Sequence, residues 1–177
     1  MNHTDHVTLL RSGVPGPGGV WADFGSGMGA FTLALADLIG PTGHIHSVDK
    51  NRGVLRQQER ALRTRFPQVA VQYVVADFTR PLDFVLDGVV MTNALHFVRH
   101  AARDATVQLM QSYLQPGGRF ILVEYNTDRG NPWVPYPLSY RTWEGVARRN
   151  GFANTRLLAT RPSRFMGEIY SAVSWGE

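Results

Sequence analysis

Apolar residues in this chain fall in short runs that alternate with stretches where they recur every three or four positions. The runs at 20–24, 44–48, 69–75, 88–91 and 119–125 read as strands. Helical spacing fills 30–38, 52–66 and 101–114, closed by Gly40-Pro41, Pro67 and Pro116-Gly117-Gly118 respectively. This order predicts an α/β fold: a single Rossmann-like, doubly wound sheet with helices on both faces and ligands at the carboxyl ends of its strands.

The C-terminal part breaks the alternation. After a proline- and aromatic-rich stretch at 131–137 and a helix at 140–149, two further strands at 152–159 and 165–175 are separated by residues 160–164 alone. So short a link cannot carry a crossover helix, so these strands must pair antiparallel. The expectation is seven strands, mostly parallel, with one antiparallel strand near the C-terminus.

Length and composition narrow the function classes. At 177 residues, the chain fits one domain over 1–177 with a core that needs no staple. The absence of cysteine excludes disulfides, a thiolate nucleophile and cysteine-ligated metal centres. The start, Met1 to His6, has no basic segment leading into an apolar run, and no apolar stretch approaches the ~18 residues of a membrane span, so a cytoplasmic protein without membrane contact is expected. The formal charge of +4 rests on arginine, since Lys50 is the only lysine among 18 basic residues. That bias fits coding composition or a temperature-adapted surface, and a nucleic-acid partner is not expected.

Candidate chemistry gathers at the predicted strand ends. In Asp23-Phe24-Gly25-Ser26-Gly27-Met28-Gly29, an acid precedes three alternating glycines. Gly25-x-Gly27-x-x-Ala30 alone would satisfy the dinucleotide pattern, in which amides at a helix N-terminus approach a pyrophosphate. Asp23 argues against a pyrophosphate, because like charges repel in a poorly solvated turn, and in favour of a cationic ligand. One helix and one strand later comes Asp49, placed to accept both hydroxyls of an adenosine ribose, which suits NAD as well as S-adenosylmethionine. The third strand ends in Ala76-Asp77-Phe78.

The acid-plus-three-glycine loop resembles the first motif of class I S-adenosylmethionine-dependent methyltransferases. The segment from Leu86 to Val98 is similar to that family's fourth-strand region, and Leu114-Gln115-Pro116-Gly117-Gly118-Arg119-Phe120 to its turn before the fifth strand. The resemblance covers residues 20 to 125 in the family's order, and the two-strand tail matches its reversed seventh strand. It implies S-adenosyl-L-methionine as cofactor, with Asp23, Gly25, Ser26, Gly27 and Gly29 at the methionine end. Asp49 and Lys50 would then lie at the ribose, Asp77 and Phe78 at the adenine, and Asn93 at the floor near the methyl group.

The segment Asn93-Ala94-Leu95-His96-Phe97 resembles the branch that contains the ubiquinone/menaquinone C-methyltransferases and many small-molecule methyltransferases. The expected activity is methyl transfer to a small organic acceptor by in-line displacement, in which alignment alone can supply about 7–11 kcal/mol. His96, just past the fourth strand, is the candidate base if the acceptor must lose a proton, and packing is its other reading. His96 and His100 are four apart, but no third ligand has matching spacing, so no metal is expected. Glu124 is expected to support the pocket or a neighbouring loop. That branch usually carries a longer N-terminal region over its active site, so the lid is expected to be reduced, or supplied by the loop after the fifth strand or by another subunit, as in a homodimer. Trp133, Tyr136 and Tyr140 are the candidate lid, with anchoring into the core as the alternative. Two other functions stay open at this point: a non-catalytic methyltransferase-like partner subunit and an NAD-dependent oxidoreductase.

Overall fold

The computed structural model describes residues 1–176. In chain order the elements are α1 (His3–Arg11), β1 (Gly19–Phe24), α2 (Ala30–Ile39), β2 (Gly43–Asp49), α3 (Arg52–Arg65), β3 (Ala70–Val75) and β4 (Leu86–Thr92). Then follow α4 (His100–Ser112), β5 (Leu114–Tyr125), α5 (Tyr140–Arg149), β6 (Asn154–Ser163) and β7 (Gly167–Trp175). The strands form one seven-stranded sheet in the order β3-β2-β1-β4-β5-β7-β6. Neighbours from β3 to β5 are parallel, and β7 runs antiparallel to both β5 and β6. The expected reversed strand is therefore β7, and it lies one place in from the edge, with β6 outside it.

Both faces of the sheet are covered, and the strand pleat sorts the side chains between them. Val89 and Met91 of β4, with Phe120 and Leu122 of β5, pack with Val107 and Met110 of α4 and Trp143 of α5. Their neighbours Val90, Ile121 and Val123 point the other way, into a layer with Leu9 and Leu10 of α1 and Leu35 of α2. Trp21 of β1 fills that second layer, and a side chain at Gly88 on the adjoining strand would collide with its ring. Residues 115–118 bulge out of β5 between the Leu86–Leu114 and Gly88–Arg119 pairings, so the helix stop is also a strand irregularity.

Helix α1 departs from the sequence expectation. A reciprocal cap starts it: Asn2 Oδ1 accepts the Asp5 amide at 2.9 Å, and Asp5 Oδ2 accepts the Asn2 amide at 3.0 Å. Val7, Leu9 and Leu10 give it a buried side against α2, and His3 ties it to Asp37 of α2 at 3.1 Å.

Candidate functional site

The parallel order brings the carboxyl ends of β1 to β4 to one edge, where they open into a cavity of about 750 Å³. Gly25, Ser26 and Gly27 form one wall, Asp49 and Lys50 the next, Asp77, Phe78 and Thr79 a third, and Thr92, Asn93 and Ala94 the floor. Of the expected cofactor residues, eight stand together on this surface: Gly25, Ser26, Gly27, Asp49, Lys50, Asp77, Phe78 and Asn93.

The glycine loop is shaped by its backbone. Gly25, Gly27 and Gly29 have φ of 72°, 53° and 82°, a region where other residues are strained. At Gly25 the space is closed as well, since an added Cβ would lie 2.6 Å from Ala94 Cβ and 3.3 Å from the Phe78 ring. The amides of Gly25 and Ser26 donate to Val48 O at 2.8 and 3.1 Å. Helix α2 then begins at Ala30 without a side-chain cap or an acid in its first turn, which leaves amides at the cavity for an anionic group.

Asp49 braces the loop from β2. Its Oδ2 accepts the Gly27 amide at 3.0 Å and its Oδ1 the Asn51 amide at 2.8 Å. Asp77 Oδ1 accepts the Thr79 hydroxyl at 2.7 Å and the Thr79 amide at 2.9 Å, and these bonds hold its carboxyl below the usual carboxylate range. Asn93 has φ of 50°, and its buried Oδ1 has no partner, so an acceptor on the floor awaits a donor.

Asp23 and Gly29 are not on the wall. Asp23 is fully buried beneath the loop, where Oδ2 accepts the Thr32 hydroxyl at 2.6 Å and Oδ1 has no partner. Burial pushes its carboxyl up to about 7, only partly opposed by the Thr32 bond. Asp23 was expected at the cofactor's methionine end; it follows Trp21 on the same face of β1 and points at Thr32 of α2, beneath the loop and not on the cavity wall. Gly29 packs against Gln58.

Gln58 is the principal residue that sequence reasoning missed. It lies fully buried on α3. Its Nε2 donates to Gly27 O at 3.1 Å and Ser26 Oγ at 3.2 Å, while its Oε1 accepts the Ser47 hydroxyl at 2.5 Å. A glutamine on the stripe of Leu55 and Leu62 was the available signal, because a polar residue in an apolar row must find partners.

His96 is likewise off the wall. It is 3% exposed, in a single 3-10 turn (Leu95–Phe97), and Nδ1 lies 2.7 Å from Glu124 Oε1 on β5. His96 was the candidate base, and a base must reach the reacting atom; here its ring is turned into the protein, towards Glu124. Glu124 does support the neighbouring loop. His100 begins α4 outside that turn, against Tyr136, so the two histidines do not share a helix face.

Trp133, Tyr136 and Tyr140, the expected lid, are not among the residues that line the cavity. Asn131 Oδ1 accepts the amides of Trp133 and Val134, both at 2.9 Å, and folds the loop onto itself. Trp133 is 71% exposed, Tyr136 donates its amide to His96 O at 3.0 Å, and Tyr140 stands edge-on to Tyr170. The remaining wall comes instead from Met1 and His6 of the N-terminal segment, Phe31 of α2, and Phe97, Val98, Arg99 and Ala102.

Known proteins share the domain and the fold. The family model described as a methyltransferase domain matches residues 22–118, more than half of the chain. The ubiquinone/menaquinone biosynthesis C-methyltransferase UbiE of Ectopseudomonas mendocina is 30% identical over 159 residues, which is 86% of this chain and 60% of that protein. The chain thus spans well under two thirds of the length of that relative. Magnesium protoporphyrin IX methyltransferase from Synechocystis, solved with bound SAM, superposes with a TM-score of 0.71 at 19% identity, over 97% of this chain and 77% of that one. The YcgJ protein of Bacillus subtilis gives a TM-score of 0.74 at 13% identity, over 99% of this chain and 100% of that one. At such identities the two structures show a shared fold. With the matched domain, the glycine loop and the sheet order, the chain belongs to the class I S-adenosylmethionine-dependent methyltransferase family.

Proposed function

We propose that this chain transfers a methyl group from S-adenosylmethionine to a small organic acceptor. The observation that carries this reading is the make-up of this cavity. Its adenosine side offers Asp49, Asp77 and Phe78, and its far side is largely apolar, with Phe97 61% exposed beside Val98 and Ala102. A solvent-facing phenylalanine on a cavity wall suits a flat or partly apolar acceptor.

The residues fit the cofactor. Gly25, Ser26 and Gly27 would line its methionine end, where the carboxylate meets the uncapped amides in the first turn of α2. Asp49 keeps lone pairs for ribose hydroxyls, Asp77 for an adenine amine, and Asn93 Oδ1 for a donor near the floor. When bound, the cofactor supplies an electrophilic methyl on a sulfonium. The protein's part is then to align the acceptor with that methyl and to exclude water. No helix among the described residues is long and apolar enough to cross a membrane.

The test is a screen with methyl-labelled S-adenosylmethionine against phenols, quinols and small amines, with RNA and protein substrates alongside. Label on a small molecule is the expected result. Label on RNA or protein alone would overturn the choice of acceptor, and copurification with a larger subunit that alone turns over would favour a non-catalytic role.

A further inference from the structure

Methyl transfer to a hydroxyl leaves a proton to be removed. The cavity wall carries five titratable side chains: His6, Asp49, Lys50, Asp77 and Arg99. Lys50 and Arg99 are donors without an accepting lone pair. In the reading above, Asp49 is taken by the ribose hydroxyls and Asp77 by the adenine amine, beside the groups they already hold. His6 remains. It is half-buried on α1 with its ring centroid 4.6 Å from that of Phe31. Its ring makes no hydrogen bond among the described residues, whereas His3 is bonded to Asp37 and His96 to Glu124.

We propose that His6 is the proton acceptor for the methyl-accepting group, and that the acceptor therefore reacts through a hydroxyl, a phenol being the fitting class. This rests on the methyltransferase reading above. As the acceptor oxygen forms its bond to the methyl carbon, the electron pair of the broken carbon–sulfur bond stays on sulfur. The hydroxyl proton passes to a ring nitrogen of His6, and water takes it once product has left.

The surroundings suit this role. Burial lowers the imidazole below its ordinary pKa, helped by the Met1 amino group and His3 and opposed by Asp5, so the ring is neutral and able to accept. Asp5 is in turn 3.5 Å from Arg161 of β6, and His3 is paired with Asp37 of α2. Across the cavity the charges are Asp49, Lys50, Asp77 and Arg99. The cap of α1 and these two pairs fix the helix, and with it the ring.

The experiment follows the His6 imidazole by NMR titration of the full chain with S-adenosylmethionine and with S-adenosylhomocysteine. Its signal is assigned by its loss in His6→Gln, or in His6→Phe should the first variant not fold. A sulfonium facing the ring disfavours the imidazolium, so the pKa with S-adenosylmethionine should lie about one unit or more below that with the neutral thioether. In parallel, 4-nitrophenol added to the S-adenosylhomocysteine complex should ionise at lower pH with the parent chain than with His6→Gln or His6→Phe. Equal imidazole pKa values in the two complexes, or equal ionisation of the phenol, would overturn the proposal. Failure of both cofactors to bind would instead remove the methyltransferase reading, and this inference with it.

Discussion

His96 Nδ1 sits 2.7 Å from Glu124 Oε1 and 2.9 Å from Oε2, a buried pair that fastens the turn after β4 to the end of β5. The turn carries Asn93 on one side and Phe97 on the other, so the pair sets the cavity floor from behind. Burial pushes the Glu124 carboxyl up, and the bond from His96 is the largest effect opposing it.

Removal of one partner is expected to cost more than the pair contributes. His96→Ala leaves Glu124 buried without its partner, a change of about 3–5 kcal/mol. At about 2–4 °C per kcal/mol for a chain of this size, the melting temperature should fall by roughly 6–20 °C. Thermal denaturation checks this, and a variant that melts with the parent would show that the pair does not hold the floor.

Asp23 predicts a particular pH dependence. Its carboxyl stands at about 7 in the folded chain against 3.8 ordinarily, so between those values the folded state binds a proton that the unfolded state has lost. The contribution is intact at low pH, declines as pH rises from about 4, and is fully lost above about 7. Asp23→Asn keeps an acceptor for the Thr32 hydroxyl and cannot ionise, so its melting temperature should fall less than the parent's between about pH 5 and about pH 8. Parallel curves for the two chains would place the titration elsewhere.

The glycines of the loop are not equivalent. Gly25→Ala combines a left-handed φ with a clash against Ala94, whereas Gly27→Ala has the strained φ but nothing within 4 Å of the new carbon. Gly27→Ala should cost about 1–2 kcal/mol of stability, and Gly25→Ala more, with cofactor affinity lowered at least tenfold because Ala94 and Phe78 must move. Melting and calorimetry on both variants check the order, and equal losses would contradict the packing argument.

Asp49→Ala should raise the dissociation constant for S-adenosylhomocysteine by about one to two orders of magnitude, from the ~1.5–3 kcal/mol of a charge-assisted bond. Part of the loss comes through the loop, since Asp49 Oδ2 also holds the Gly27 amide. Unchanged affinity in a folded variant would remove Asp49 from the site.

The fold was legible because parallel strands with single-helix crossovers must all end at one edge, so Asp49, Asp77 and Asn93 could be placed together from spacing. What spacing does not give is the side on which individual side chains point. Asp23 is last but one in β1, and the strand pleat aims it at Thr32 on α2, although its place ahead of the glycines suggested contact with ligand. His96 follows the strand that forms the floor, but the 3-10 turn rotates it inward to Glu124. Helix α1 escaped notice because only Val7, Leu9 and Leu10 in it are buried, too sparse a pattern for a helical period, and with it went His6 and its wall of the cavity. The course of the 131–137 loop was illegible for another reason, since its turn geometry depends on Asn131 and Asp128 bonds that composition does not reveal.

The most direct test of the central claim is calorimetry of the purified chain with S-adenosylmethionine, S-adenosylhomocysteine and NAD under one set of conditions. Binding of both sulfur compounds at about micromolar affinity, with no heat from NAD, is the predicted result. NAD binding, or silence with all three, would contradict it.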